Sequence, residues 1–187
     1  MERQAAKALL QPRAVIVLPT DTVYGLVARA VDKPAVERLY RLKDRVNKPG
    51  TVIAANIEQL VSLGITRRYL KAVEQYWPGP VSVIIPVSNP KLNYLTSGAY
   101  GLAIRLPDAK PLLALLKQTG PLMTTSANLP GQPVAVTIDQ AKAYFHNQVD
   151  AYIDGGPLIG RRPSTIIRVV DDAIEVVRQG AMDIRTD

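Results

Sequence analysis

Residues 14–26 read AVIVLPTDTVYGL. Ala14–Leu18 is a short, continuously apolar run rich in β-branched side chains, which predicts a buried strand rather than a helix. Pro19 ends it, and Pro19-Thr20-Asp21-Thr22 is expected to be a loop at the strand end. Two hydroxyls and a carboxylate on a loop with a rigid base suit a polar ligand. They equally suit an Asx or Ser/Thr turn that satisfies its own backbone. Local sequence leaves both readings open.

Outward from this stretch, helical and extended patterns follow one another in short pieces. Residues 2–10 can start a helix that Pro12 stops. Residues 33–43 have Val36, Leu39, Tyr40 and Lys43 at i, i+3, i+4 and i+7, so Lys43 should continue the apolar stripe and point inward. Residues 51–55 read as a strand, and Asn56 with Gln59 forms a capping-box pair for a helix that Gly64 closes. A helix is expected over 67–77, a rigid turn at Trp77-Pro78-Gly79-Pro80 and a strand over 81–87. Residues 101–106 alternate: Leu102, Ile104 and Leu106 share one face, Ala103 and Arg105 the other. Asp108 can cap a helix over 109–118, followed by a strand over 122–125. Thr137 and Gln140 pair to open a helix over 138–146, and strands at 151–154, 165–170 and 174–178 complete the chain. Many strands mixed with helices, without repeats, predict one α/β domain over 1–187 with an open, twisted, mixed sheet flanked by helices.

Composition excludes several chemistries. The 187 residues include no Cys and one His, which removes disulfide scaffolds, thiolate nucleophiles and Cys- or His-rich metal sites. A formal charge of +7, from 23 Lys and Arg against 16 Asp and Glu, points to an anionic partner such as a nucleotide, phosphate or RNA. No run approaches the ~18 apolar residues of a membrane span, and MERQAAKALLQPR carries no signal-peptide pattern. A cytoplasmic protein without membrane contact is expected.

Five polar constellations stand out. Beside the PTDT stretch, Lys43-Asp44-Arg45 with Lys48 could clamp a polyphosphate, Lys as a point charge and Arg as a planar fork. The alternative is a solvated helix end with favourable cations. Arg105 lies in an apolar strand, so either an internal carboxylate or a ligand anion must meet it. Thr124-Thr125-Ser126-Ala127-Asn128 offers a hydroxyl and an amide at a strand end, and Ser164-Thr165 and Arg178-Gln179-Gly180 flank the last strands. Neither a P-loop nor a dinucleotide G-x-G-x-x-G occurs, so a nucleotide would need another cradle.

In order, PTDTVYGL, KDR, WPGPVSVIIP, LAIRLP, PLMTTSAN, DGG, PSTII and VVRQG resemble the YrdC family over a core of about residues 10–182, in its short, single-domain TsaC-type form. The signature is Lys-x-Arg with Ser-x-Asn, here Lys43, Arg45, Ser126 and Asn128. The resemblance implies an open α/β fold with a large basic cavity and a threonylcarbamoyl-AMP synthase activity. Such an enzyme condenses L-threonine, bicarbonate or CO2, and ATP, and releases pyrophosphate. Mg2+ would accompany ATP, held mainly by its phosphates, with no permanently bound cofactor. The product would serve a transferase machinery that modifies adenosine 37 of tRNA, and tRNA or double-stranded RNA binding is associated with the family. Carried over by position, Lys43, Arg45, Ser126 and Asn128 are the expected catalytic residues. With Lys48 and Arg178 they are also the nucleotide ligands, whereas Thr22, Thr20, Arg105 and Ser164 would hold threonine. Two departures are visible: Val46 stands where many members have Pro, and Ile53-Ala54 where two-domain relatives often have His. The competing readings are an RNA-binding module without chemistry and a paralogue acting on another carbamoyl-type substrate.

Overall fold

The computed structural model describes residues 2–44, 48–170 and 173–184. Its elements are α1 (Glu2–Leu9), β1 (Val15–Pro19), β2 (Tyr24–Arg29), α2 (Lys33–Leu42), β3 (Thr51–Ile53), α3 (Ile57–Leu63), α4 (Arg67–Ala72), β4 (Val81–Pro86), α5 (Asn93–Thr96), β5 (Gly101–Arg105), α6 (Lys110–Thr119), β6 (Leu122–Ser126), α7 (Ile138–Phe145), β7 (Ala151–Tyr152), β8 (Thr165–Val170) and β9 (Ala173–Arg178). The strands form one sheet in the order β7-β1-β2-β6-β3-β5-β4-β8-β9. Pairings β1–β7, β3–β5 and β4–β8 are parallel and the others antiparallel, which makes the sheet mixed, as expected.

Side-chain alternation sorts the sheet into two unequal faces. Val17, Leu26, Val52, Val83, Ile104 and Ile167 turn toward a core built with α2, α3, α4, α5 and α7, through residues such as Leu39, Leu60, Leu70, Leu95 and Phe145. Ile16, Leu18, Val27, Ile53 and Leu122 turn the other way, against Ala5 and Leu9 of α1 and Leu112, Leu115 and Leu116 of α6. Two helices cover only part of this second face. Beyond them the same alternation places Gly25, Thr51, Ala103, Arg105, Thr124 and Ser126 along an open stretch. The strands therefore switch from apolar to polar or small residues where the helical cover ends.

Several local expectations are corrected. The loop expected over Pro19-Thr20-Asp21-Thr22 is a hairpin turn over residues 20–23, with Leu18 opposite Gly25 and Pro19 opposite Tyr24. Its second arm, β2, escapes pattern reading because Tyr24–Ala28 is buried on both faces, so it shows no alternation, and Gly25 reads as a breaker. Gly25 is required there: a Cβ would sit 2.9 Å from Thr124 Oγ1 and 3.1 Å from Thr20 Cγ2. The helix expected over 67–77 ends at Ala72 and is followed by a single 3-10 turn at Glu74–Tyr76. Asp108 does not cap α6; the capping position is Ala109, with no side-chain bond, and Pro111 in the first turn reduces the number of N–H groups needing a partner. The pairs Asn56/Gln59 and Thr137/Gln140 do cap α3 and α7, with Asn56 and Thr137 accepting from the Gln59 and Gln140 amides. The return bonds from the glutamine side chains go one residue further back, to the amides of Ala55 and Val136. Lys43 follows α2 directly and is buried, as its place on the stripe requires. Among the described residues no helix is long and apolar enough to cross a membrane.

Candidate active site

The open part of the second face is a shallow, half-open cleft. It is lined by Thr20, Thr22, Arg105, Ser126, Ser164 and Arg178, six of the residues singled out in the sequence. These come from the β1–β2 turn, β5, β6 and the β8–β9 pair, so the sheet alone gathers them. The sequence-level expectation is a large basic cavity; in this cleft the charged lining side chains among the described residues are Arg105 and Arg178.

The two threonines of the turn have different capacities. Thr20 Oγ1 donates to the Val23 carbonyl at 2.6 Å and accepts from the amides of Thr22 and Val23, each at 3.2 Å. Its one hydrogen and both lone pairs are thereby taken up within the turn, and the Thr22 hydroxyl lies 3.1 Å from it. Thr22 is left with lone pairs to offer a ligand, and Thr20 is the turn former. The turn reading of this stretch is realised by Thr20.

Arg105 is 3% exposed and pairs through Nη1 with Oδ2 of Asp21, whose side chain is 7% exposed. The internal carboxylate that the sequence left as one alternative is therefore present. Among the described residues, Arg105 Nε and Asp21 Oδ1 are nevertheless buried without a hydrogen-bond partner, as is Thr125 Oγ1. Such orphaned groups are uncommon in folded proteins and cluster where function demands them.

Lys43, Ser126 and Asn128 converge at the edge of the cleft. Lys43 Nζ donates to the Ser126 carbonyl at 2.9 Å, to Asn128 Oδ1 at 2.7 Å and to the Asn128 carbonyl. Ser126 Oγ donates to Asn128 Oδ1 at 2.7 Å, and Asn128 Nδ2 donates to the Gln132 carbonyl at 2.7 Å. The amide of Ala127 donates to the Tyr24 carbonyl at 2.8 Å, which ties this loop to β2. Lys48 is exposed and outside the lining, although its neighbours Pro49 and Gly50 belong to it. Arg45 and Val46 lie outside the described residues.

At the opposite wall, Arg178 Nη2 donates to the Ser164 carbonyl at 2.7 Å and lies 3.3 Å from Ser164 Oγ. Ser164 Oγ is 2.9 Å from Ser82 Oγ, which is fully buried on β4. Ser82 was not singled out in the sequence; its signal was a hydroxyl inside an apolar strand, the same signal that marks Arg105. Thr51 and Gly50 were likewise missed as lining residues. The Asp154-Gly155-Gly156 stretch is docked onto the hairpin, with the Tyr24 hydroxyl donating to the Gly156 carbonyl at 2.9 Å and accepting from the Gly155 amide at 3.0 Å. Burial, and secondarily the Asp154 charge, raises the Tyr24 pKa, so the hydroxyl stays protonated. Among the described residues no group of three or more His, Asp or Glu side chains converges to hold a metal ion.

The wall carrying Ser164 depends on Gly180. A Cβ on Gly180 would lie 2.3 Å from the Pro163 carbonyl and 2.5 Å from the Ser164 backbone. Gly180→Ala is therefore expected to lower stability by about 1–3 kcal/mol, the scale of an overpacked site, and to weaken ligand binding through displaced Ser164. Thermal denaturation together with ligand titration checks this; an alanine variant with wild-type stability and affinity would contradict the contact.

A family model described as telomere recombination, Sua5/YciO/YrdC, matches residues 8–180. The chain belongs to the Sua5/YciO/YrdC family. A Pseudomonas aeruginosa protein named threonylcarbamoyl-AMP synthase is 37% identical over 168 residues, 88% of this chain and 90% of that protein. A Bacillus subtilis protein of the same name is 34% identical over 182 residues, 95% of this chain but 53% of that protein. Sua5 of Pyrococcus abyssi, solved with L-threonine, superposes with a TM-score of 0.83 at 29% identity, over 96% of this chain and 54% of that one. This Sua5/YciO/YrdC chain thus spans about half the length of these last two relatives. The mixed sheet flanked by helices is the family's fold.

Proposed function

We propose that this chain is a threonylcarbamoyl-AMP synthase, converting L-threonine, bicarbonate or CO2, and ATP into threonylcarbamoyl-adenylate and pyrophosphate. The observation that carries the reading is the convergence of Thr22, Arg105, Ser126, Ser164 and Arg178 on one open face, in a fold closely similar to a relative solved with L-threonine. The amine of threonine adds to CO2, losing its proton, to give a carbamate. A carbamate oxygen then attacks the α-phosphorus of ATP and pyrophosphate leaves. The nucleophile arrives charged, so the site needs positioning and charge neutralisation more than a strong base.

Arg105 takes the threonine carboxylate, and the Thr22 hydroxyl bonds the threonine amine or hydroxyl. Ser164, oriented by Ser82 and Arg178, closes the other side of this subsite. The Lys43 ammonium holds Ser126 and Asn128 in place and brings positive charge to the phosphate end, and Arg178 reaches the nucleotide; Arg45 and Lys48 are the further nucleotide ligands that the family resemblance implies. Mg2+ enters with ATP as part of the substrate, carried on its phosphate oxygens. A cytoplasmic transferase machinery acting on adenosine 37 of tRNA consumes the product, and the net charge of +7 suits passing contact with RNA.

The test is pyrophosphate release by the purified protein with ATP, Mg2+ and bicarbonate, with L-threonine, with L-serine or with neither. Release that depends on threonine is expected. Release indifferent to the amino acid, or none, removes the assignment.

A further inference from the structure

The roles above leave Asp21 without a function. We propose that Asp21 is the positioning residue that aims Arg105 at the substrate carboxylate; this deepens the synthase reading and rests on it.

Arg105 lines the cleft, whereas Asp21 is absent from the cleft lining and faces a separate, mainly apolar pocket of about 220 Å³ bounded by Leu18, Leu112, Leu115 and Ile153. The ion pair is thus a partition, with the guanidinium on the substrate side and the carboxylate behind it. A ligand in the cleft meets Arg105 and not Asp21, so any effect of Asp21 on that ligand passes through the arginine. Apolar surroundings strengthen the pair relative to a solvated one.

The turn fixes the carboxylate. Thr20 Oγ1 locks the amides of Thr22 and Val23 on one side, and Arg161 Nη1 donates to the Asp21 carbonyl at 3.4 Å on the other. Among the described residues Asp21 in turn provides the one hydrogen-bond partner of the Arg105 guanidinium. A long side chain with a single anchor is aimed by that anchor. The buried, unpartnered Nε shows that Asp21 does not exhaust the donors of the fork, and a carboxylate is the ligand that a planar fork matches best.

Positioning and simple charge compensation predict opposite signs. Were Asp21 only a counter-charge, its removal would leave Arg105 more attractive to an anion and tighten threonine binding. As an aiming device, its loss lets the fork swing away and weakens binding. The test measures threonine and ATP dependence of pyrophosphate release, with calorimetric threonine binding, for the wild type, Asp21→Asn and Asp21→Glu. Asp21→Glu keeps the charge and the fold but shifts the anchor by one methylene.

Both variants are expected to raise the KM for threonine about tenfold or more, the scale of a misplaced reacting group, with the KM for ATP within about twofold. Asp21→Asn combined with Arg105→Lys should be no worse for threonine than Arg105→Lys alone. If Asp21→Asn fails to fold, Asp21→Glu decides. Threonine affinity unchanged or tightened in Asp21→Glu, or equal losses for threonine and ATP, overturns the inference while leaving the synthase intact. A wild type that neither binds nor uses threonine overturns both.

Discussion

Arg105→Ala is expected to abolish measurable use of threonine and to cost the fold about 3–5 kcal/mol, because it strands the Asp21 carboxylate in a dry site. Both side chains of the pair are over nine-tenths buried, and Asp21 Oδ1 already lacks a partner. Losing Arg105 would leave the whole carboxylate unsatisfied. For a chain of this length the destabilisation corresponds to a fall in melting temperature of about 6–20 °C. Arg105→Lys separates the two effects: it keeps a cation against Asp21 but loses the planar fork. The lysine variant should melt near the wild type, raise the KM for threonine by about tenfold or more and leave the KM for ATP nearly unchanged. A rise confined to ATP would reassign Arg105 to the nucleotide.

Lys43→Met is expected to slow threonine-dependent pyrophosphate release by about 100- to 1,000-fold, the scale of removing one preorganised donor from a site of developing charge. The physical reason is twofold. The Nζ group is the shared donor to the Ser126 and Asn128 carbonyls and to Asn128 Oδ1, so its loss frees the loop that presents Ser126 to the cleft. The positive charge that Lys43 holds against the Ser126–Asn128 loop is lost as well. Methionine preserves the apolar stem, which continues the buried stripe of α2, so the fold should lose only about 1–3 kcal/mol for the unsatisfied acceptors. Steady-state pyrophosphate release and thermal denaturation measure the two consequences independently. A folded Lys43→Met protein turning over at the wild-type rate would remove Lys43 from the machinery.

Most elements could be read from the chain because each obeys a local rule: the 3.6-residue stripe of α2, the alternation of β5, the caps at Asn56 and Thr137. The inward course of Lys43 was legible for the same reason, since its position on the stripe allows no other direction. Arg105 and the Ser126–Asn128 pair stood out as polar groups in or beside apolar strands, and the order of motifs tied them to one family.

Other features had no local signal. β2 is buried on both faces, and a strand without alternation carries no periodicity to detect. Ser82 becomes part of the site only because β4 and β8 run side by side and bring it to 2.9 Å from Ser164. The difference between Thr20 and Thr22 depends on which hydroxyl the turn's own backbone occupies, which the hairpin geometry decides. The sequence alone determined which residues carry polar groups on otherwise apolar elements, because burial makes those groups costly wherever they fall. Only the tertiary structure decided which of them meet: α1 and α6 stop short across one face of the sheet, and the strands left uncovered there bring residues from 20 to 178 into one cleft.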